Sequence, residues 1–464
     1  MKKLLSFTFS LLLFNTLLFA QFDYFNMAAY SNWFDPNATG TSSIGSQYSS
    51  CWGFRNPDNK EYAILGGANG TYFIEVTIPD NPQLRDYVPG FLNNCIWREY
   101  KTYQNYAYMV SDDGNDNRFQ IVDVSFLPDS VHLVHNSDSI LVKSHTIYVD
   151  NGLLYGGSVL RKNNVYHSLA VFDLTQTPEK PQFLRALNDD FPFITTVHDM
   201  FVRNDTVYAS CGYQGFYVFK YNRTINQFTL IGNLTSYPDA GYNHSSWITP
   251  NGKTMVFADE VPNDLAVKII NVEDLGDIHV KSTFKSNGAT PHNPYILNDQ
   301  TLVMSYYEDG IRMYNISDPQ NPQLTGYFDT YPQNGSTYGS YAYKGCWGAY
   351  PFLPSGILLA SDMQNGLFVL KMDEALNVSK NEKHQLKTFP NPANNYFNII
   401  TESAFGKNAL LFITDMSGKK VYENQLNIQS DITRVEIGES LSTGIYLINL
   451  TIEGKNKIGK LIIE

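Results

Sequence analysis

Four histidines recur at matching points along the middle of the chain. They are His145, His198, His244 and His292. Their intervals of about 50 residues are typical of a repeat protein. Imidazole is the commonest metal ligand among side chains, and converging histidines suit ions such as Zn, Cu, Fe or Ni. The spacing therefore predicts a site for one transition-metal ion.

Acidic residues near the same repeat positions extend this predicted site. Asp199 and Asp362 are candidate metal ligands or hydrogen-bond partners of the histidines. Asp259 and Glu260 are candidates for a general base that activates bound water. The acidic pair at 112–113, in contrast, is interpreted as a solvated turn.

Aromatic residues replace histidine in three other repeat units. These are Trp52, Trp97 and Trp347, and Arg98 and Glu99 directly follow the second of them. An aromatic wall beside a ring of polar groups suits a small-molecule pocket. We therefore predict that these five residues bind a ligand.

The spacing of the histidines is also compatible with two roles that need no metal. A repeat protein solves the same packing problem in every unit, so a histidine at a strand start can simply hydrogen-bond the backbone of the next unit. The four can also form a ligand or catalytic site without a metal. Their presence in four consecutive units of seven favours a one-sided site over a uniform packing device.

The units that carry these residues predict the fold. They begin near Trp52, Trp97, His145, His198, His244, His292 and Trp347. Each unit has short alternating strands separated by Asn, Asp and Gly turns, and its length of about 45–55 residues is typical of a four-stranded propeller blade. We predict an all-β protein with a seven-bladed β-propeller over 45–376. Because the first strand of each blade lines the channel, the histidines should converge there.

The amino-acid composition argues against nucleic acid as a partner. The net charge is −12 and 14% of the residues are aromatic. An acidic chain is a poor ligand for nucleic acid.

The tripeptide Cys-Trp-Gly occurs at 51–53 and again at 346–348, in the units that become neighbours when the repeat closes. We predict a disulfide between Cys51 and Cys346, with Cys95 as a rival partner.

The two ends of the chain predict export. Residues 1–20 have two lysines, an apolar run and a small residue at the end, which is the pattern of a signal peptide. No later stretch is long enough to span a bilayer in the mature chain.

Residues 21–44 are a lead-in and 377–387 a polar linker. Residues 388–464 alternate apolar and polar positions between turns, which predicts a small Ig-like β-sandwich.

Motifs within the repeats resemble known families. The segments 310–326 and 71–84 resemble the LVIVD repeat. Trp97–Lys101 and Tyr350–Gly356 resemble motifs of the choice-of-anchor B family of exported bacterial propellers. Ser144-His145-Thr146 departs from that family's pattern at its third position. The resemblance covers about 70% of the chain and implies the fold and export, with no settled activity.

The tail resembles the type A C-terminal sorting domain of type IX secretion. The resemblance rests on Phe389–Ile399, Ile413–Tyr422 and Leu441–Leu447. It implies that 388–464 contacts the type IX machinery and directs passage from the periplasm across the outer membrane. The cargo is then secreted or anchored at the cell surface, with the tail kept or removed.

Three functions fit these observations. The first is an exported propeller that binds a small molecule, glycan or protein, with a metal at the histidine cluster. The second is a metal-dependent hydrolase or oxidoreductase that uses the same histidines. The third is a purely structural surface module. The sequence does not decide whether the protein is an enzyme.

Overall fold

The computed structural model covers both ends of the predicted repeat. The residues that it describes are 22–286, 288–333, 343–372, 386, 388–401, 406–415, 419–430, 432–438, 441–452 and 455–463. The chain divides into two compact units, Met1–Leu376 and Asn377–Glu464. The predicted signal peptide, and the predicted linker except residue 386, lie outside the described residues.

The first unit is built from antiparallel sheets. Its N-terminal strands are β1 (Tyr24–Phe25) and β2 (Met27–Trp33). The first sheet contains β3 (Tyr48–Arg55), β4 (Glu61–Gly67), β5 (Gly70–Glu75) and β6 (Gln83–Pro89). The second contains β7 (Arg98–Tyr103), β8 (Tyr106–Ser111), β9 (Phe119–Asp123) and β10 (His132–Ser137). The third contains β11 (Thr146–Asp150), β12 (Leu153–Arg161), β13 (Val165–Asp173) and β14 (Gln182–Ala186).

Four more sheets repeat the same order. The fourth contains β15 (Asp199–Arg203), β16 (Thr206–Ser210), β17 (Phe216–Asn222) and β18 (Gln227–Leu234). The fifth contains β19 (Asn243–Ile248), β20 (Thr254–Asp259), β21 (Val267–Asn271) and β22 (His279–Phe284). The sixth contains β23 (Pro294–Asn298), β24 (Thr301–Tyr306), β25 (Gly310–Asn315) and β26 (Gln323–Phe328). The seventh contains β27 (Cys346–Tyr350), β28 (Leu358–Asp362) and β29 (Gly366–Met372).

The N-terminal strands complete the last two sheets. β2 pairs with β29, placing Met27 opposite Met372, and is the fourth strand of the seventh sheet. β1 pairs with β26 and is a fifth strand of the sixth sheet. The segment predicted as a lead-in therefore joins the beginning of the repeat region to its end.

Local sequence explains why these strands form. Asn204 and Asp205 both have positive φ values and connect β15 to β16. Two such residues in a two-residue hairpin match the twist of the flanking strands. The inner strands are apolar on both faces, and every residue of β4, β20 and β24 is buried. Strands buried on both faces need neighbours above and below them.

The sheets contact one another in sequence order. The first strand of each sheet packs against the first strand of the next, from β3 through β7, β11, β15 and β19 to β23. β24 contacts β27, and β27 contacts β3 of the first sheet. The series of seven sheets therefore closes on itself. The described residues are otherwise almost free of helix, with 3-10 segments at Lys162–Asn164 and Leu187–Asp189.

The cysteines do not pair as predicted. All four are buried free thiols. Cys51 and Cys346 nevertheless lie at the same place, because both thiols donate to the carbonyl oxygen of Gly348, at 3.9 and 3.6 Å. The two tripeptides are thus neighbours, and the disulfide between them is not formed.

The second unit contains two antiparallel sheets. One has β30 (Thr388–Phe389), β31 (Tyr396–Ile400) and β34 (Ile432–Glu436). The other has β32 (Asn408–Thr414), β33 (Lys420–Asn427), β35 (Gly444–Ile452) and β36 (Lys455–Ile463). Both contribute to one apolar core, which includes Phe397, Val435, Leu411 and Ile448.

Candidate functional site

The four histidines stand at equivalent points of four neighbouring sheets. His145 and His198 directly precede β11 and β15, and His292 lies just before β23. His244 lies in β19, where a register shift between Asn243 and Ser245 leaves it without a pairing partner. A bulge of this kind re-aims a side chain.

Packing of the first strands brings these rings together. Ring centroids are 4.0 Å apart for His145 and His198, and 4.3 Å for His198 and His244. The His244 and His292 centroids are 4.4 Å apart. Trp347 continues the arc at 4.9 Å from His292, and Trp97 lies 4.9 Å from Trp347. We call these six residues the histidine layer.

Three of the histidines make the same kind of contact, from Nδ1 to a backbone carbonyl oxygen of the next sheet. Nδ1 of His198 bonds the carbonyl oxygen of His244 at 3.0 Å, and Nδ1 of His244 bonds that of His292 at 3.2 Å. His292 Nδ1 bonds the carbonyl oxygen of Trp347. A carbonyl oxygen only accepts, so Nδ1 of His198 and of His244 carries the hydrogen and each of these neutral rings keeps its lone pair on Nε2. Nδ1 of His292 also lies 3.0 Å from the amide nitrogen of Asn293.

Burial keeps these three rings neutral. It lowers the pKa of His198 and His244 well below the ordinary value, with help from the neighbouring histidines. Burial also lowers the pKa of His292, to about 3. A neutral imidazole with Nδ1–H bonded to a carbonyl is the form in which histidine binds a metal through Nε2.

His145 has a different environment. Its Nδ1 lies 2.9 Å from Oδ2 of Asp112, whose other oxygen is 3.3 Å from Nζ of Lys143. Burial lowers the pKa of His145, but the bond to Asp112 and its charge outweigh burial and leave that pKa raised. The fourth histidine is therefore the one that is most readily protonated to the cation, and the loop residue Asp112 is its partner rather than the solvated turn that the sequence suggested.

Glu260 faces the neutral histidines. Its Oε2 lies 3.8 Å from Nε2 of His244, and the ligand atoms of His244, Glu260 and His292 all lie within 4.8 Å of one another. The hydroxyl of Tyr307 donates to Oε1 of Glu260 at 2.9 Å. Burial raises the pKa of Glu260 to about 7. Two histidines and one carboxylate form a ligand set used by transition metals.

The histidine layer separates two cavities. The outer cavity has a volume of about 390 Å³ and is also lined by Glu260, Asp112 and Tyr307. The inner cavity has a volume of about 60 Å³ and is also lined by Glu99 and Asp199. All six rings of the layer line both cavities.

The other predicted ligand-binding residues divide between these places. Trp97, Trp347 and Glu99 line the inner cavity, as does Trp52, which donates through Nε1 to Oγ1 of Thr102 at 3.1 Å. Arg98 lines neither cavity. Its guanidinium donates to the carbonyl oxygens of Gly67 and Leu92, at 2.8 and 3.0 Å, and so ties backbone segments together.

The predicted acidic residues also separate. Asp199 accepts a hydrogen bond from Oγ1 of Thr146 at 2.9 Å and lines the inner cavity. Asp259 is fully buried and forms a 2.7 Å ion pair with Lys268, away from both cavities.

Asp362 lies outside both cavities as well. It accepts from Oγ1 of Thr330 at 2.7 Å and from two backbone N–H groups of the following turn. Glu260 is the one predicted carboxylate that the structure places beside the histidine nitrogens.

Three functional side chains escaped prediction. Asp112 and Tyr307 belong to different repeat units from their partners, His145 and Glu260, so no local spacing in the sequence predicts these contacts. Lys101 lines the inner cavity two residues after Glu99. Alternation along β7 places both on one face, and this was the available signal.

Comparison with known proteins identifies the second unit. Residues 387–464 match the family model described as a secretion system C-terminal sorting domain. No curated protein sequence matches the chain. Among the described residues, no helix has the length and apolar character needed to cross a membrane.

The chain is also similar in structure to several solved proteins. PorZ, a bacterial surface component of the type IX secretion system of Porphyromonas gingivalis, has 11% identity and a TM-score of 0.46, covering 93% of this chain. The chain spans 61% of the length of PorZ. A putative 6-phosphogluconolactonase from Bacteroides uniformis has 12% identity and a TM-score of 0.47, covering 84% of this chain and 100% of its own. U3-55K has 10% identity and a TM-score of 0.48, and the match covers 74% of this chain and 98% of U3-55K.

The match at the C-terminus settles the destination of the protein. A sorting domain of this family implies contact with the type IX machinery and export through the periplasm. Residues 387–464 are therefore a secretion system C-terminal sorting domain, and the protein is exported and either secreted or anchored at the outer cell surface.

Proposed function

We propose that the seven sheets are the blades of one β-propeller over 45–376 and that its histidine layer holds a transition-metal ion to which a small ligand binds. The closed series of contacts between first strands supports the propeller, because seven open sheets in a row would leave two ends uncovered. The N-terminal strand β2 in the seventh sheet supports the same closure. The motifs that resemble the LVIVD repeat and the choice-of-anchor B family agree with this arrangement.

The observation that carries the metal site is the state of the histidine nitrogens. Nδ1 of His244 and of His292 contacts a backbone carbonyl oxygen, which leaves Nε2 of each ring available. The Glu260 carboxyl lies beside them and is held by Tyr307. Two ligand atoms on one ion lie up to about 4 Å apart, so the 3.8 Å between His244 and Glu260 is within reach.

A bound ion would have a coordination position open toward the outer cavity. That cavity has a volume of about 390 Å³ and is lined by aromatic residues, Tyr242 and Tyr307 among them. A cavity of this size suits a small molecule or one residue of a larger chain. The metal would supply Lewis acidity to an oxygen of that ligand, and turnover would distinguish an enzyme from a binding module.

The same hydrogen bonds also support a purely structural role of the histidines, since each Nδ1–H links one sheet to the next. Substitution by asparagine separates the two functions. The amide nitrogen of Asn occupies nearly the place of Nδ1 and still donates to the carbonyl, but Asn has no atom at the place of Nε2.

The test is metal analysis of the full chain, purified without chelator or metal-affinity resin. We expect about one transition-metal ion per chain, lost in His244→Asn and in His292→Asn, with the unfolding midpoint of the metal-free forms unchanged. His279→Ala, at an exposed position, should keep the metal. Equal metal content in wild type and both Asn variants, or none in any of them after reconstitution, would refute the site and leave the histidines as a structural link.

A further inference from the structure

The inner cavity is a second, separate polar compartment. It lies on the other side of the histidine layer from Glu260 and has a volume of about 60 Å³. Each water molecule needs about 15 Å³ of such cavity space. The cavity therefore has room for about four or five non-hydrogen atoms.

Three polar groups of the residues around this cavity have no hydrogen-bond partner among the described residues. They are the hydroxyls of Ser50 and Ser246 and the indole N–H of Trp347, in residues only 4%, 3% and 3% exposed. The Trp347 indole N–H lies beside the carboxyl of Glu99. Buried polar groups are nearly always hydrogen-bonded, to protein, water or ligand. Each of these three atoms has less than 1 Å² of accessible surface, so they add polarity to the wall of the cavity without contacting a molecule inside it.

The cavity is also lined by acidic and basic groups together. Lys101 lines it beside Glu99 and Asp199. The Lys101 ammonium lies 4.2 Å from the centroid of the Trp52 ring and donates to the carbonyl oxygen of Tyr100. It forms no ion pair within 4.0 Å with a described residue, whereas the buried Lys268 has its ion pair with Asp259 at 2.7 Å.

We propose that the inner cavity binds a small zwitterion, an α-amino acid of the size of glycine. Its carboxylate would accept from the Lys101 ammonium. Its ammonium group would donate to Glu99 and Asp199. A zwitterion complements both signs of charge at once, and glycine has five non-hydrogen atoms, which matches the space.

Simpler ligands match the cavity less well. A carboxylate such as acetate offers acceptors to the donors but places its charge beside Glu99 and Asp199. An amine such as methylamine satisfies the carboxylates but leaves the Lys101 ammonium without an anion. This inference does not depend on the metal, because the ligands proposed for the ion include Glu260 of the outer cavity.

The experiment is calorimetric titration of the full chain with glycine, acetate and methylamine, before and after removal of metal with EDTA. We expect glycine to bind in both preparations, at least about tenfold more tightly than either half-molecule, because each end adds a charge-assisted hydrogen bond. Binding that disappears with EDTA would place glycine on the metal and overturn the inner site without affecting the proposed metal site.

Matched variants assign the two ends. Lys101→Met should weaken glycine and acetate by about tenfold or more and leave methylamine unchanged. Glu99→Gln should weaken glycine and methylamine and leave acetate unchanged. Lys253→Met removes a surface cation paired with Glu273 and should change none of them.

Two results would overturn the proposal on wild-type protein alone, whatever the variants do. One is acetate binding as tightly as glycine, which would make the cavity a simple anion site. The other is no binding of any of the three, together with a crystal structure grown in glycine that has only water in the cavity.

Discussion

The two units bury different kinds of side chain. The core of the second unit is apolar, and among its described residues the buried polar ones are Thr401 and Asn449. The first unit buries many charged groups, including Arg98, Asp259 and Lys268. Burying charge is unfavourable unless each charge is paired or used. The difference is that the first unit depends on paired and hydrogen-bonded charges in its interior, whereas the sorting domain depends on apolar packing.

The largest test of this comparison removes the second unit. Deletion of residues 387–464 should eliminate export to the outer surface, since the sorting domain is what the type IX machinery reads. The truncated chain should accumulate in the periplasm with the metal content of the full chain, as measured by cell fractionation and metal analysis. Surface exposure of the truncated chain at wild-type levels would contradict the assignment.

The next test concerns the buried pair of the first unit. Lys268→Met should lower the free energy of unfolding by about 3–5 kcal/mol, because it leaves the Asp259 carboxylate buried without its partner. Both side chains have no solvent exposure. Denaturant unfolding measures the change.

A double variant sharpens the same test. Lys268→Met with Asp259→Leu removes both charges and should recover much of the lost stability, while metal content stays at the wild-type level. If metal is lost in the double variant, Asp259 contributes to the metal site. That result would contradict the assignment of Glu260, rather than Asp259, as the carboxylate of the site.

These adjacent carboxylates also illustrate what the sequence can and cannot predict. Repeat spacing was enough to select the four histidines and to place Asp259 and Glu260 near them. Successive residues of a strand point to opposite sides, so only one of the two can reach the histidines. Which one does so depends on Lys268, on β21, and on Tyr307, directly after β24.

The asymmetry of the histidines was beyond sequence reasoning for a similar reason. Equal spacing suggested four equal ligands, but His145 bonds a carboxylate from the preceding sheet, whereas His198 and His244 bond carbonyl oxygens of the following one. The fold class was accessible because it follows from alternation and turn residues. The role of residues 21–44 was not, because a strand that completes a sheet more than 300 residues away has no local signal.

A smaller effect is expected in the core of the second unit. Ile448 is fully buried there, and Ile448→Ala should destabilise that unit by about 2–5 kcal/mol through the lost contacts and the cavity. Metal content of the first unit should not change. Differential scanning calorimetry follows the transition of the second unit, with Ile432→Ala at a half-exposed position as control. A shift of both units together would mean that they unfold as one.

The smallest effect is a pH dependence from His145 and Asp112. The raised pKa of His145 means that its contribution to stability is fully present below its unfolded value of about 6.5 and is lost as pH rises through the folded-state pKa. Burial would raise the pKa of Asp112, but the bond to His145 and its charge leave it lowered, so its contribution is present above about pH 4 and lost as pH falls through its folded-state pKa.

The pair therefore stabilises the fold most between about pH 4 and 6.5. Asp112→Asn should cost about 1 kcal/mol in this window, since both side chains are partly exposed, and less as pH rises through the folded-state pKa of His145. Urea unfolding across pH measures this difference. Lys143→Met is the control, because it removes the other cation that contacts Asp112. A loss that is equal at pH 5.5 and pH 9 would mean that Asp112 acts through its hydrogen bond alone, and His145 would then be neutral like the other three histidines.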